Sequence, residues 1–334
     1  MTVDLRTGIT REYRREDYIT KISGTWIDET MPIPIWNNFL GRVTGDDKDL
    51  QLYLQRMAGY CLTGVTTEHV MFFLYGPGAN GKGVFLNALK GMWGDYAVTA
   101  SMDTFIETDN DRHPTELAFL DGARLVIAQE TESGKRWAQA KIQALTGGDD
   151  ITARYMRQDF FTFRPRFKLV IAGNHKPSLN SVDEAIRRRF HLIPFTTIIP
   201  PRERDFELGE KLKAEWPGIM WWATKGCLEW QKIGLAPPKA VTDATNRYLE
   251  EEDPIARWIA DSCVTNKEEF GVGDLLWRDW QNWVRENAEQ PKSRKWFADQ
   301  LDRRGYTPGK SQGVRGYNGI NLNASRKPPR YNDC

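Results

Sequence analysis

One stretch, residues 70–89, limits the fold of this chain more than any other. It opens with an unbroken apolar run, Val70 to Tyr75, which has the length and aromatic content of a buried strand. After Lys82 the apolar residues return at helical spacing, from Val84 to Leu89. The stretch therefore predicts a strand, a tight loop and a helix in direct succession.

The loop between the strand and the helix fits the GxxxxGK phosphate-binding pattern, in the context that the pattern requires. Glycines let the backbone turn several N–H groups toward an anion, and the helix N-terminus adds a partial positive charge. Lys82 is expected to reach the outer phosphates of a nucleotide, whereas the alternative is a tight glycine turn without a ligand. The predicted nucleotide-contacting residues are Gly76, Pro77, Gly78, Ala79, Asn80, Gly81, Lys82, Gly83 and Val84.

The residue after the lysine departs from the usual pattern. Gly83 stands where a Ser or Thr hydroxyl normally binds Mg²⁺, so a metal here must be held by water, phosphate and an acid from elsewhere. A second strand pattern, Leu125 to Ala128, runs into an acidic segment that contains Glu130 and Glu132. In ATPases with such a loop, an acid at the end of a strand orders Mg²⁺ and the attacking water. The alternative is a strand that exits into a solvated acidic loop.

Two further segments place polar residues next to predicted strands. Asn174 ends the strand pattern that begins at Phe167, and it is expected beside the strand that precedes Glu130. An amide there can hold the water or the γ-phosphate, whereas the alternative is a turn asparagine. Three arginines, Arg187 to Arg189, precede the strand pattern His191 to Phe195. They form either a solvated edge or a group that meets the γ-phosphate of a neighbouring subunit.

A hairpin is predicted between these strands. Ile151 to Tyr155 and Phe160 to Phe163 flank a polar segment, which places Arg157 near the tip. Contacts between such cations and a nucleic-acid backbone are electrostatic and tolerate any base sequence. The candidate DNA-contacting residues of this segment are Arg154, Arg157 and Gln158.

The last third of the chain has a different character. Residues 241–262 predict a helix interrupted at Asp253-Pro254, and 263–334 predict a strand, two helices and a Gly-rich pair of strands, which is the order of a winged helix. From residue 291 onward there are ten Lys or Arg against three acids. Such a patch suits phosphate contacts, with Lys295 and Arg303 as DNA-contacting candidates. The alternative is a tail that is basic for solubility.

With these pieces in this order, the chain resembles the superfamily III helicases, and among them the helicase portion of the phage and plasmid primase-helicases of the satellite-phage type. The resemblance lies in GPGANGKGVFLNAL, LVIAQETE, LTGGDDITARYMRQDFFTFRPRFKLVIAGNHKP and RRRFHLIPF, and it extends from about residue 15 to about residue 325. It implies a hexameric AAA+-like ring that uses ATP and Mg²⁺ to move 3′ to 5′ on single-stranded and forked DNA, together with a primase domain or primase partner.

The resemblance also assigns individual residues. The implied catalytic positions are the phosphate-binding Lys82, the catalytic acid Glu130 and the sensor Asn174. Arg189 best matches the arginine that acts on a neighbouring subunit, with Arg188 as the alternative. Gln129 stands where relatives with two adjacent acids have a metal-ordering carboxylate, so both Glu130 and Glu132 are candidate metal ligands.

The expected fold is α/β, with a P-loop ATPase core around a central parallel sheet, an N-terminal helical domain and a C-terminal winged helix. The 334 residues, 40% of them hydrophobic, suffice for several domains. The expected division is a helical collar at 1–66, the ATPase core at 67–238, a linker helix at 239–262 and the winged helix at 263–334.

Composition narrows the remaining functional classes. A net charge of +1 gives no global nucleic-acid or membrane signature, and four scattered cysteines indicate neither a zinc site nor a disulfide framework. No apolar run approaches the ~18–20 residues needed to span a bilayer, so a soluble, intracellular protein without a membrane partner is expected. The resemblance implies a cytoplasmic product of a bacterial host cell or a mobile genetic element. The expected function is an ATP-dependent DNA helicase. The alternatives are a P-loop ATPase that remodels or moves DNA without unwinding it, and an origin-binding module whose ATP site controls assembly.

Overall fold

The computed structural model describes residues 1–108, 115–129 and 134–326 of the chain. The chain divides between Arg247 and Tyr248 into two compact units, here called unit 1 and unit 2. The domain limits at residues 66, 238 and 262 that the sequence suggests remain predictions.

The described ranges contain the following strands and helices. The strands are β1 (Thr2–Val3), β2 (Thr10–Arg11), β3 (Met71–Tyr75), β4 (Ala97–Thr99), β5 (Leu125–Gln129), β6 (Ile151–Ala153), β7 (Phe161–Phe163), β8 (Lys168–Gly173), β9 (Phe190–Pro194), β10 (Cys263–Val272), β11 (Pro308–Ser311) and β12 (Val314–Leu322). The helices are α1 (Pro34–Thr44), α2 (Lys48–Leu62), α3 (Lys82–Trp93), α4 (Thr115–Ala118), α5 (Gln139–Gly147), α6 (Glu184–Arg187), α7 (Leu208–Lys213), α8 (Trp216–Ile233), α9 (Lys239–Glu251), α10 (Pro254–Ser262), α11 (Gly273–Glu286) and α12 (Arg294–Arg303).

Unit 1 is built on a parallel sheet of five strands, in the order β4-β5-β8-β3-β9. The side chains of β8 are buried throughout, as are four of the five in β3 and in β5, which explains their unbroken apolar sequences. The predicted α/β class with a central parallel sheet is confirmed, and so is the succession of strand, loop and helix over residues 71–93. Because all five strands run the same way, their carboxyl ends meet at one edge of the sheet.

Two helices, α1 and α2, precede the glycine loop in the region where a helical collar was expected. Both belong to the same hydrophobic core as the sheet, in which Trp36 of α1 stacks on Phe85 of α3 with ring centroids 5.7 Å apart. The carboxylate of Glu215 accepts hydrogen bonds from the N–H groups of Ile35 and Trp36, at 2.9 and 2.8 Å, and so caps the start of α1. The helices therefore support α3, which follows the glycine loop.

The predicted hairpin is confirmed between β6 and β7, which pair in antiparallel fashion from Ile151 with Phe163 to Ala153 with Phe161. Arg157 lies in the turn with a left-handed φ of +61°. The base of the hairpin lies toward the amino edge of the sheet, because α5, which leads into it, contacts that edge through Thr146 and Arg189. The base of the hairpin thus lies at the amino ends of the strands, and the glycine loop lies at their carboxyl ends.

In unit 2, the order of elements after Ser262 is strand, helix, helix and two strands, as predicted. The three strands form an antiparallel sheet in the order β10-β12-β11. Its core is rich in aromatic residues, and the indole N–H of Trp258 donates to the buried carboxylate of Asp279 at 2.8 Å. Nη2 of Arg304 lies 2.6 and 2.7 Å from the two carboxylate oxygens of Asp253, and this ion pair joins the end of α12 to the start of α10.

Among the described helices, none combines the length and the apolar character that crossing a membrane requires.

Candidate functional site

The glycine loop after β3 fits closely against two other parts of unit 1. A side chain on Gly76 would lie 2.0 Å from the carbonyl oxygen of Phe195, and one on Gly81, where φ is +86°, would lie 2.5 Å from Cγ1 of Val43. Ala79 between them also has a left-handed φ, of +59°. Gly76 and Gly81 are therefore required for steric reasons, and a backbone curled in this way can gather N–H groups around an anion.

The loop is held in this shape by hydrogen bonds to the segment after β9. The Asn80 side-chain amide donates to the Phe195 carbonyl at 2.5 Å, and the N–H of Ile199 donates to the Ala79 carbonyl at 2.9 Å. The shape of the loop is therefore fixed by the segment that follows the edge strand β9 as well as by the glycines of the loop.

Lys82 is the first residue of α3, and its ammonium group lies among four oxygen atoms. Nζ donates to the carbonyls of Gly76 and Pro77 at 2.7 and 3.3 Å, and to the side-chain oxygens of Asn80 and Asn174 at 3.1 Å each. Burial lowers the pKa of Lys82 to about 8. A partly desolvated cation at a helix N-terminus is well suited to a phosphate, whose negative charge would stabilise the ammonium form.

Asn174 reaches this lysine because β8 lies next to β3 and ends at the same edge. The sequence predicted Asn174 beside the strand that precedes Glu130, and β8 does pair with β5. The structure also places Asn174 3.1 Å from the Lys82 ammonium. Gln129 ends β5, the other neighbour of β8. Glu130 and Glu132, which follow it, lie outside the described residues.

The position after the lysine is open. A side chain on Gly83 would meet nothing within 4 Å, so its small size is not forced by packing. In the described ranges there is no cluster of three or more His, Cys, Asp or Glu side chains that could hold a metal ion. The described residues therefore fit the phosphates of a nucleotide, and Mg²⁺ would depend on water, phosphate and the acids at 130 and 132.

The arginines before β9 lie at the opposite edge of the sheet. Met71 pairs with Phe190 and Tyr75 with Pro194, so Arg188 and Arg189 are about five strand residues, or about 16 Å, from the glycine loop. They cannot reach the loop of their own chain.

The two candidate arginines differ in their surroundings. Arg189 is buried, and its guanidinium donates to Oγ1 of Thr146 at 3.3 Å and to the carbonyl of Ala185 at 2.8 Å. Burial and the neighbouring Arg188 lower the pKa of Arg189. Arg188 is exposed.

The hairpin brings the other basic candidates together. Arg157 and Gln158 are exposed in the turn, where the N–H of Gln158 donates to the carbonyl of Tyr155 at 3.1 Å. The guanidinium of Arg154 lies over the ring of Phe160, 4.8 Å from its centroid.

In unit 2, Lys295 and Arg303 are exposed on α12. Lys310 and Arg315 are also exposed and stand directly opposite each other across β11 and β12. Like charges in such positions repel one another, so this pair favours an anionic ligand. Arg304, counted in the basic patch from sequence, is instead paired with Asp253 inside the unit.

This chain is similar in sequence to one protein family and to several viral proteins, and similar in fold to solved structures. A sequence family described as "Family of unknown function (DUF5906)" matches residues 74–189, which run from the end of β3 to Arg189. It covers about a third of the chain.

Three viral proteins are similar over most of the chain. "Putative helicase L207/L206" of Acanthamoeba polyphaga mimivirus is 29% identical over 85% of this chain and 32% of its own length. "Putative helicase 022R" of Frog virus 3 (isolate Goorha) is 22% identical, over 75% of this chain and 29% of its own length. "Putative helicase 121R" of Invertebrate iridescent virus 3 is 24% identical, over 84% and 33%. This chain therefore spans about a third of the length of these relatives.

Among solved structures, the A form of the apo C-terminal region of NrS-1 has a similar fold. The TM-score is 0.52 with 13% sequence identity, over 88% of this chain and 77% of that one. A second apo structure of the same region, residues 305–718, gives a TM-score of 0.50 over the same shares of the two chains.

Sequence reasoning missed one feature of the hairpin, the aromatic side chains that it exposes. Phe160 is 58% exposed, whereas Phe161 stacks on Tyr155 and Phe163 is buried. The signal was present, because successive residues in an extended segment point to opposite sides. Phe160 and Phe161 are adjacent at the start of β7, so they could not both face the buried side of the strand.

Proposed function

We propose that this chain is the ATP-hydrolysing motor of a DNA replication helicase that moves on single-stranded DNA. The contact between Lys82 and Asn174 carries the proposal, because it joins the glycine loop to the polar end of the adjacent strand at one edge of a parallel sheet. The helicase names of the viral relatives and the fold shared with the NrS-1 C-terminal region support it.

In this proposal the loop from Gly76 to Gly81 receives the phosphates of ATP, and Lys82 exchanges its protein oxygens for phosphate oxygens. The Asn174 amide then orients the γ-phosphate or the attacking water, and Glu130 accepts a proton from that water. Mg²⁺, when bound, neutralises phosphate charge, and Glu132 is the alternative carboxylate for holding it. The open position at Gly83 is consistent with a metal held without a hydroxyl ligand.

We further propose that the chain assembles into a ring, with six subunits by the resemblance, in which an arginine before β9 completes a neighbour's site. Two facts support action in trans: the arginines lie at the sheet edge opposite the loop, and Arg188 is exposed there. Arg189, which the resemblance favours, donates to oxygens of its own chain, so Arg188 is the stronger candidate for contact with a neighbour.

DNA is proposed to contact two surfaces. One is the hairpin, through Arg154, Arg157 and Gln158, at the central pore of the ring. The other is unit 2, whose order of elements and sheet order suit a winged helix, through Lys295 and Arg303 on α12. Movement from 3′ to 5′, forked DNA as the substrate and a primase domain or partner belong to the same proposal.

Lys82→Ala tests the nucleotide site. It is expected to lower ATP hydrolysis at least about 100-fold, because the ammonium is the cation that meets the phosphates. Thermal unfolding should show a folded chain, and Lys225→Ala, which removes an exposed lysine from α8, should leave hydrolysis unchanged. Unchanged turnover in the Lys82 variant would reject the site.

Glu130→Gln tests which of the two acids is catalytic. It should retain ATP binding and stop both hydrolysis and strand separation. If Glu132→Gln alone does so, the roles of the acids are reversed. ATP hydrolysis without strand separation by the unaltered chain would favour an ATPase that remodels DNA, and ATP-dependent assembly without hydrolysis would favour an origin-binding module.

A further inference from the structure

The hairpin carries a surface of exposed apolar side chains, formed by Phe119, Tyr155, Met156 and Phe160 and here called the hairpin surface. Phe119, Met156 and Phe160 are 61%, 69% and 58% exposed, and Tyr155 lies beside them. Single exposed apolar residues are ordinary, but a group of four around one hairpin indicates a binding surface.

The rings of the hairpin surface are held in place. Tyr155 meets Phe119 edge to face, with centroids 5.8 Å apart, and stacks on Phe161 at 5.5 Å and 15°. Its hydroxyl donates to the carbonyl of Ala118 at 3.2 Å. The surface is therefore anchored to α4 and to β7, so a ligand would meet preorganised rings.

Within the hairpin itself, two arginines lie beside the apolar rings. Arg154 covers one face of the Phe160 ring at 4.8 Å, and Arg157 is exposed at the tip next to Met156. Asp159 is the acid of the turn. Flat apolar rings among guanidinium groups complement a ligand that combines planar bases with an anionic backbone, which is single-stranded nucleic acid.

We propose that the hairpin surface is a base-stacking platform in which Phe160 packs against a base of single-stranded DNA while Arg154 and Arg157 contact the backbone. This inference rests on the proposed function, and it adds that the hairpin grips bases as well as phosphates. The ring of Phe160 is the best placed of the four, because Arg154 fixes one of its faces and much of the ring remains in solvent.

The test compares two strands of equal length, an oligothymidine and an abasic strand with the same sugar-phosphate backbone. Binding of the full chain to each is measured by fluorescence anisotropy over a range of salt concentrations. Phe160→Ala should weaken binding of oligothymidine by about 5- to 100-fold, leave the salt dependence unchanged and leave binding of the abasic strand unchanged. Arg157→Ala should instead weaken both strands and reduce the salt slope by about one.

Two controls guard the result. Phe160→Trp keeps a stacking ring and should retain affinity, which excludes a folding defect. Phe206→Ala removes a phenylalanine that is 93% exposed elsewhere in unit 1 and should change nothing.

Three outcomes are contrary to the proposal or to its basis. Equal effects of Phe160→Ala on both strands, or no effect on either, would overturn base stacking. Smaller oligomers in mass photometry, with the affinity of each remaining oligomer unchanged, would show that the surface meets a second copy of the chain instead. Failure of the unaltered chain to bind either strand would reject the proposed function itself.

Discussion

At the scale of single residues, the glycines in and directly after the glycine loop fall into two classes. Gly76 and Gly81 have no room for a side chain, whereas Gly78 and Gly83 would meet nothing within 4 Å. The GxxxxGK pattern requires glycine at 76 and 81 but not at 78 or 83, and the path of the loop against Phe195 and Val43 gives the steric reason for this difference.

We expect Gly76→Ala to shift the loop, because its added methyl group would lie 2.0 Å from the carbonyl of Phe195. Affinity for ATP, measured by calorimetry, should fall at least about tenfold, and the free energy of unfolding should fall by about 1–3 kcal/mol. Gly83→Ala is the matched control. It fills open space in the first turn of α3, so binding should be retained and stability raised by up to about 1 kcal/mol. Equal losses in the two variants would contradict the steric difference.

The sequence could predict which residues approach one another at this site, but not how each is held. Asn174 and Lys82 meet because parallel strands end at one edge, a rule that needs no coordinates. The burial of Arg189 and the exposure of Arg188 could not be predicted. Three consecutive arginines have no periodicity, and the deciding partner, Thr146, is remote in sequence.

At the scale of elements, β9 is held by α2 at one face and by α9 at its free edge. His191 lies with Nδ1 2.6 Å from the Tyr53 hydroxyl of α2, and the N–H of Leu192 donates to Oγ1 of Thr245 in α9 at 3.0 Å. The latter bond satisfies a backbone donor that faces away from β3, which protects the edge of the sheet. The sequence of α2 does not indicate that this helix covers β9, because Tyr53 and His191 are 138 residues apart.

This arrangement makes stability depend on pH. Burial lowers the pKa of His191 to about 4, whereas an unfolded histidine has a pKa near 6.5. Between these values the unfolded chain binds the proton more readily, so the free energy of unfolding should fall as the pH drops from 6.5 to 4, by up to about 3 kcal/mol.

Urea unfolding at a series of pH values measures this dependence. His191→Asn should remove most of the slope in that window, while His175→Asn, which changes an exposed histidine, should preserve it. A slope that survives in the His191 variant would assign the effect to other groups.

At the scale of the whole molecule, local charge is not the same as available charge. The basic C-terminal segment predicted from sequence contains Arg304 and Arg326, which pair with Asp253 and Glu286 within unit 2. Lys295, Lys310 and Arg315 are exposed. A count of basic residues could not identify the paired arginines, because their partners, Asp253 and Glu286, come earlier in the chain than the basic segment.

In the proposed ring, an arginine of one subunit would complete the nucleotide site of the next. The arginines before β9 and the glycine loop are at opposite edges of the sheet, so one site in a ring would combine the loop of one subunit with the arginine of the next. A trans-acting arginine contributes about 10³-fold or more to hydrolysis in ATPases and GTPases. Arg188→Ala should accordingly abolish most ATP hydrolysis without lowering the melting temperature, because its side chain is exposed.

Mixing Arg188→Ala subunits with Lys82→Ala subunits tests this directly. With equal amounts and random assembly, about a quarter of the interfaces would join an intact lysine to an intact arginine, so hydrolysis should recover where each variant alone has almost none. Arg189→Ala should instead lower the melting temperature, because its guanidinium serves Thr146 and Ala185 of its own chain. If Arg189→Ala stays folded and complements Lys82→Ala while Arg188→Ala remains fully active, the roles of the two arginines are exchanged. If mixed oligomers, verified by mass photometry, recover nothing at any ratio, the site is completed within one subunit and the ring proposal loses its catalytic basis.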